Sequence, residues 1–247
     1  MNDSPLQTVN LSRAFGIVEV LRGIDLQVAR GEFVAVVGPS GCGKTTLLSL
    51  FSGYEQPTSG TVVRNGRVRT VFQRDGLFPW LTCADNIALG LRELSDAGER
   101  REHMRRLLGL INLNGFADRF PHQLSGGMRQ LVELARALAG DTDILLMDEP
   151  FSALDYLLRL RMRGELVRLL HECPRTVVFV THDIEEAAQL ADRIIVLTER
   201  PGRIRTEVRL SAPRPRNPTD PAVVKAVHRI LTEMGLESDP SGPDFAL

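Results

Sequence analysis

Nine consecutive residues, Gly38-Pro39-Ser40-Gly41-Cys42-Gly43-Lys44-Thr45-Thr46, hold the densest chemistry in the chain. The spacing Gly-x-x-x-x-Gly-Lys-Thr is that of a phosphate-binding loop. Its glycines let the backbone wrap with N–H groups turned inward on phosphate oxygens. Lys44 would extend an ammonium to the β- and γ-phosphates, and the Thr45 hydroxyl would ligate Mg2+. A glycine-rich turn without ligand matches this pattern by chance, in a chain of this length, with a probability on the order of 1%. The setting strengthens the assignment. The run Glu32 to Val37, apolar from Phe33, precedes the loop, and a helical pattern from Lys44 to Phe51 follows. The helix N-terminus then adds its partial positive charge to the cradle.

Ile144-Leu145-Leu146-Met147-Asp148-Glu149 reads as a buried strand ending in two carboxylates. An acid at the end of a strand beside the phosphate loop can join a Mg2+ shell, which assigns Asp148. Glu149, one residue on, is placed to take a proton from a water attacking the γ-phosphate. A polar loop start explains Asp-Glu-Pro taken alone; joined to the phosphate loop, the catalytic reading is the stronger one. Thr176 to Val180 repeats the arrangement, with His182 just beyond the strand end. Ligands of α/β sheets bind at that edge, and an imidazole there can hydrogen-bond a γ-phosphate. Gln73 closes the segment Val71-Phe72-Gln73 and offers an amide to Mg2+ or to the attacking water.

These groups need strands and helices to position them. Ile24 to Val28 alternates apolar and polar residues, the mark of a strand with one wet face. Short β segments are expected at Thr61 to Val63 and Val68 to Phe72. Ile144 to Asp148, Thr176 to Val180 and Ile194 to Leu197 read as buried strands, separated by helices at Tyr156 to Glu172 and Ile184 to Ala191. That alternation predicts a parallel sheet covered on both faces. Between Arg74 and Pro121 the pattern turns helical, with Asp85 to Leu91 and Gly98 to Leu110 forming an insertion. Ser125 resembles an N-cap for a helix whose apolar face is Met128, Leu131, Val132, Ala135 and Ala139. Residues 212 to 221 read as a proline-punctuated linker, followed by a helix from Ala222 to Met234 and a disordered tail.

Composition excludes several classes. The 247 residues carry 30 Lys+Arg against 31 Asp+Glu, a balance that argues against a dedicated nucleic-acid binder. Cys42, Cys83 and Cys173 are odd in number and form no C-x-x-C pair. They argue against a disulfide scaffold or zinc site and for a reduced compartment. No apolar stretch approaches the roughly 20 residues of a membrane-spanning helix. Residues 1 to 12 form no charged-then-apolar leader, so cytoplasm is the expected location. Lysine occurs only at 44 and 225; the phosphate loop keeps a compact ammonium where the chain otherwise uses arginine. Cys42, inside the positive nest, is expected to form a thiolate readily.

Leu124-Ser125-Gly126-Gly127-Met128-Arg129-Gln130 is more specific still. It resembles the signature motif of ABC-type ATPases. The phosphate loop, Gln73, the signature, Asp148-Glu149-Pro150, Ser152-Ala153-Leu154-Asp155 and His182 follow in that family's order, across roughly residues 6 to 205. The signature is physically a second phosphate nest, made by the Ser125 hydroxyl and the N–H groups of Gly126 and Gly127 at a helix N-terminus. A glycine N-cap without ligand explains the segment alone but not six ordered motifs together.

The resemblance implies an α/β fold: a P-loop NTPase core with a parallel sheet flanked by helices, an N-terminal antiparallel β subdomain and a helical signature subdomain. The ATPase domain would span residues 1–211, with core and β subdomain in 1–73 and 144–211 and the helical subdomain in 74–143; linker, short helix and flexible tail would fill 212–247. The implied ligands are ATP and Mg2+. Phe15 would stack on the adenine, an ordinary core Phe being the alternative, and Gly38, Pro39, Ser40, Gly41, Cys42, Gly43, Lys44, Thr45 and Thr46 would surround the phosphates. Thr45, Gln73 and Asp148 would hold the metal; Glu149, His182 and Gln73 would serve catalysis. Ser125, Gly126, Gly127 and Gln130 would act in trans, on the nucleotide of a second copy. Asp155 would lie at the seam of this head-to-tail homodimer or pseudo-dimer.

Finer details resemble the nitrate/sulfonate/taurine group of bacterial importers. They are Val71 to Thr82 with the only Trp, then Arg200-Pro201-Gly202-Arg203-Ile204, then Pro213-Arg214-Pro215-Arg216. That group implies an ATP-hydrolysing subunit, peripheral on the inner face of the cell membrane. Its partners would be permease subunits and, through the complex, a periplasmic or lipoprotein solute-binding protein. The cargo would be nitrate, a sulfonate, taurine or a similar small solute. Leu77 to Leu81 lies where the family receives the coupling helix of the membrane subunit; packing on its own subdomain is the alternative for Trp80.

Two places depart from the pattern: Leu131 stands where the family commonly has Arg, and Tyr156-Leu157-Leu158 where smaller or polar residues are usual. Other classes fit less well. An ABC-type ATPase acting on nucleic acid or ribosomes usually carries two cassettes or basic extensions, and a small-molecule kinase has no use for Leu124 to Gln130. A non-hydrolysing module has no use for Lys44, Asp148, Glu149 and His182 together. Lys44→Ala is expected to abolish nucleotide binding in a calorimetric titration; unchanged affinity would contradict the phosphate-cradle assignment.

Overall fold

The computed structural model describes residues 4–72, 76–152 and 154–236. Strands β1 (Leu6–Phe15), β2 (Val18–Val28) and β4 (Ser59–Arg64) form an antiparallel sheet in the order β2-β1-β4. The second sheet holds β3 (Phe33–Val37), β5 (Val68–Val71), β6 (Ile144–Asp148), β7 (Thr176–Val180), β8 (Arg193–Leu197) and β9 (Ile204–Arg209). Its order is β5-β6-β7-β3-β8-β9. Neighbours are parallel except β8 and β9. The strand β9 does not show in the sequence pattern. It is an edge strand of mixed burial, so its run Ile204-Arg205-Thr206-Glu207-Val208-Arg209 never becomes apolar.

Strands β3, β6 and β7 are buried along their whole length. Alternate residues go to opposite cores, which is why their sequences are unbroken apolar runs. Val34, Val36, Ile144, Leu146, Val178 and Val180 face helix α1 (Lys44–Ser52) and the antiparallel sheet. Ala35, Val37, Leu145, Met147, Val177 and Phe179 face the opposite cluster, built from the remaining helices. These are α2 (Cys83–Ala88), α3 (Ala97–Leu110), α4 (Gly126–Ala139), α5 (Tyr156–Glu172), α6 (Ile184–Leu190) and α7 (Pro221–Met234). The helix expected from Asp85 to Leu91 is α2 continued by a 3-10 turn, Leu89–Leu91. Strand β2 also begins well before the expected Ile24, because its first half pairs with β1.

The segment read as a linker is anchored to the core at Arg214 and Arg216. The Arg216 side chain is 1% exposed and donates to the carbonyls of Ala191 (2.5 Å), Ala212 (2.8 Å) and Ala188 (3.2 Å). Two of these acceptors lie at the C-terminal end of α6, where a cation also meets the negative end of the helix dipole. Arg214 pairs with Asp192 at 3.2 Å and lies over the Phe33 ring, 5.4 Å from its centroid. The Pro-Arg-Pro-Arg run thus pins the approach to α7. Removing Arg216 leaves buried carbonyls unpaired, so Arg216→Ala is expected to cost about 2–3 kcal/mol, read as a lower urea midpoint. An unchanged midpoint would contradict this anchoring role.

Candidate nucleotide-binding site

The phosphate loop joins β3 to α1 at the C-terminal edge of the parallel sheet. At Gly43, φ is +106° and a Cβ would stand 2.8 Å from Leu21 Cδ2 and 3.0 Å from Val20 Cγ1. Conformation and space both demand glycine there. Lys44 is buried, and its Nζ donates to the carbonyls of Gly38 (2.8 Å) and Pro39 (3.0 Å). The ammonium is therefore folded back over the mouth of its own loop.

Asp148 ends β6 beside the loop. Burial raises the pKa of its carboxyl, with the Glu149 charge adding to the effect; a hydrogen bond from Thr45 and the charge of Lys44 oppose it. Its Oδ1 is buried and has no hydrogen-bond partner. A buried carboxylate oxygen left this way is costly, and a hard cation would satisfy it. The Thr45 hydroxyl and Asp148 carboxylate supply the oxygen donors that Mg2+ prefers, with phosphate oxygens and water completing the shell. Among the described residues no cluster of three His, Cys, Asp or Glu could hold a metal.

Glu149 and His182 follow neighbouring strands β6 and β7, and they meet. His182 Nδ1 lies 3.1 Å from Glu149 Oε2, with the imidazole more exposed than the carboxylate. Glu149 takes a left-handed backbone, φ +44°, uncommon for a residue with a side chain. Its surroundings over-determine that turn. The Glu149 N–H donates to the Val180 carbonyl (2.8 Å), while its own carbonyl accepts from the Ser152 N–H (3.1 Å) and Oγ (2.9 Å). Strain of this kind persists where it aims a functional group.

A cavity of about 510 Å³ is lined by Phe15, Val18, Val20, Ser40, Gly41, Gly43, Lys44, Thr45, Thr46, Glu149 and Arg200. Its volume suits a nucleotide-sized ligand. Phe15 is 45% exposed, with the Arg13 guanidinium 4.3 Å from its ring centroid. None of Ser125, Gly126, Gly127 or Gln130 lines this cavity. Ser125 caps α4 by accepting the Met128 N–H at 3.3 Å. Gly127 is covered by Leu158, whose Cδ atoms would stand 2.9 Å from an added Cβ. The unusual Leu158 thus packs the start of α5 on the signature helix, whereas Tyr156 and Leu157 are exposed. Leu131 is partly buried against the helical core. Asp155 caps α5, accepting the Leu158 N–H at 3.0 Å. Gln73 lies outside the described residues.

Sequence reasoning passed over an arginine network behind His182. Arg163 donates to Asp183 (2.8 Å) and Glu186 (3.2 Å), while Arg159 donates to Asp183 (3.3 Å) and to the Leu154 carbonyl (3.2 Å). Thr181 donates to Glu186 at 2.5 Å. The network ties the loop before α5 to the loop carrying His182. Arginines on a helix read as a solvated face; only tertiary structure shows that Arg163 is buried. Trp80 is 70% exposed and leans on Phe78, ring centroids 5.3 Å apart, so it is not packed into its own subdomain.

The Cys42 expectation is corrected. The thiol is fully buried, and that burial raises its pKa more than the Lys44 and Arg200 charges and the backbone N–H groups lower it.

Residues 21–152 match the ABC transporter family. An aliphatic sulfonates import ATP-binding protein of Agrobacterium fabrum is 42% identical over 94% of this chain and 84% of its own. A taurine import ATP-binding protein of Ruegeria pomeroyi is 41% identical over 84% of this chain and 82% of its own. A solved dimeric structure, a post-hydrolysis state of an ATP-binding cassette bound to ADP and Pi, superimposes with a TM-score of 0.70. It is 32% identical and covers 84% of this chain and 99% of that one.

Because the thiolate is the reactive form, maleimide at neutral pH is expected to label the partly exposed Cys173 well before Cys42, with Cys42 labelling accelerating toward alkaline pH. Equal rates at the two positions, read by peptide mass mapping, would contradict the burial argument.

Proposed function

Because the chain belongs to the ABC transporter family, we propose, for the activity it carries out, that it is the ATP-hydrolysing subunit of an importer of small solutes, working as a dimer around bound ATP. The observation that carries this is the meeting of Glu149 and His182, 3.1 Å apart, at the sheet edge that also presents the phosphate loop. Glu149 lines the same cavity as Phe15 and Lys44. In this reading Phe15 stacks on adenine, and the loop N–H groups and Lys44 hold the phosphates. Thr45 and Asp148 would hold Mg2+, which would supply positive charge against the polyphosphate.

Glu149 accepts a proton from the water that attacks the γ-phosphorus, and His182 fixes the carboxylate's orientation. The bond between γ-phosphorus and the bridging oxygen breaks, leaving ADP and phosphate. Ser125, Gly126, Gly127 and Gln130 of a second copy close the site from the opposite side. The absence of these residues from the cavity wall supports this completion in trans, with Asp155 at the seam.

The relatives named for aliphatic sulfonates and taurine make a small sulfonate the proposed cargo. Among the described residues no helix is long and apolar enough to cross a membrane, so translocation belongs to permease partners. Exposed Phe78 and Trp80 offer those partners an apolar docking surface. A cytoplasmic position at the inner membrane face, and a solute-binding protein reached through the permease, complete the proposal.

Glu149→Gln keeps the shape and hydrogen-bonding capacity of the side chain but not its basicity. It is expected to bind ATP with near wild-type affinity while turnover falls about 10²- to 10⁴-fold. Full turnover in a phosphate-release assay would overturn the base assignment.

A further inference from the structure

The turn between β8 and β9 leans on the crown of the phosphate loop at two points. Arg200, an exposed side chain, donates from Nε (3.1 Å) and Nη2 (2.9 Å) to the carbonyl of Gly41. Two residues on, Gly202 touches the next peptide so closely that an added Cβ would stand 2.2 Å from the Cys42 oxygen. The turn is also stitched to β2. The Gly202 N–H donates to Val20 (2.8 Å), and the Arg22 N–H donates to Gly202 (3.0 Å). Val20 and Gly41 are both walls of the nucleotide cavity, and so is Arg200.

A peptide unit is planar, with its C=O and N–H pointing in opposite directions. Holding the Gly41 carbonyl on Arg200 therefore fixes the opposite direction of the Cys42 N–H in the crown of the loop. That N–H donates a long bond, 3.3 Å, to the Pro39 carbonyl, which a phosphate oxygen can replace. Of the five N–H groups of a guanidinium, two are committed to Gly41, and a full positive charge stands at the cavity wall. Among the described residues, Lys44 also lines it as a cation. The planar fork is the feature lysine lacks, and the Arg200-Pro201-Gly202 run is the part of the sequence that the catalytic assignment leaves without a task.

From this geometry we infer that Arg200 is a nucleotide-positioning residue, bracing the phosphate-loop crown through Gly41 and adding a second cation for the polyphosphate of a nucleoside di- or triphosphate. The inference rests on the nucleotide-binding reading above and names a residue outside its motifs. Gly202 serves it by letting the turn approach.

The test is calorimetric titration of the full chain with ADP and Mg2+ at low and high NaCl. Arg200 is exposed, so its variants are expected to melt like wild type. Arg200→Ala should raise Kd about 3- to 10-fold at low salt, and the gap should narrow at high salt as the charge is screened. Arg200→Lys, which keeps the charge but not the fork, should fall between. Arg200→Ala binding ADP within twofold of wild type would overturn the inference while leaving nucleotide binding intact. Wild-type protein that binds no ADP would instead overturn the underlying reading.

Discussion

Parallel pairing of β6, β7 and β3 is the constraint on which the site depends. Strands that run the same way, joined by crossovers, deliver their C-terminal ends to one edge of the sheet. Here that edge gathers Gly38 after β3, Asp148 and Glu149 at the end of β6, and Thr181 and His182 after β7. Residues scattered along the chain become neighbours because their strands are. The register is fixed by burial on both faces: a slip by one residue would exchange the alternating side chains between two cores. The hydrophobic pattern of three short strands therefore sets the 3.1 Å meeting of Glu149 with His182.

Around that edge, polar groups divide between holding and acting. Lys44 and Arg200 both spend hydrogen bonds on carbonyls of the phosphate loop, so the loop is organised from within and from the β8–β9 turn. Among the described residues, the Asp148 Oδ1 is the side-chain acceptor of this cluster that is buried and unpaired. An uncompensated group of this kind is a stability cost that proteins carry at functional sites. Behind the edge, Arg159 and Arg163 lock Asp183 and so fix the backbone from which His182 projects.

The strands and helices that carry the site were legible in the sequence because each has a strong local signal. Two-faced burial makes β3, β6 and β7 continuous apolar runs, and glycine spacing marks the phosphate loop. What was not legible depends on tertiary surroundings. Nothing local distinguishes Arg216, sealed under α6, from an arginine in a free linker. Nor does it mark Arg163 as buried. Cys42 was misjudged for the same reason: nearby positive charge can be read from sequence, but the burial that outweighs it cannot. The edge strand β9 escaped because its burial is mixed and only Val208 of its residues is fully buried. Arg200 stood in a recognised motif, yet its partner, Gly41, is distant in sequence.

The proposal that a working site is assembled from two copies is the central claim. Mixing complementary defective chains tests this most directly. One carries Lys44→Ala, leaving its signature intact; the other carries Ser125→Arg, leaving its phosphate loop intact. Each alone should be inactive, and a mixed pair contains one complete site. The account predicts that mixing restores ATP hydrolysis from near zero to a substantial fraction of wild type. Persistent inactivity of the mixture, or full turnover by Ser125→Arg alone, would contradict it.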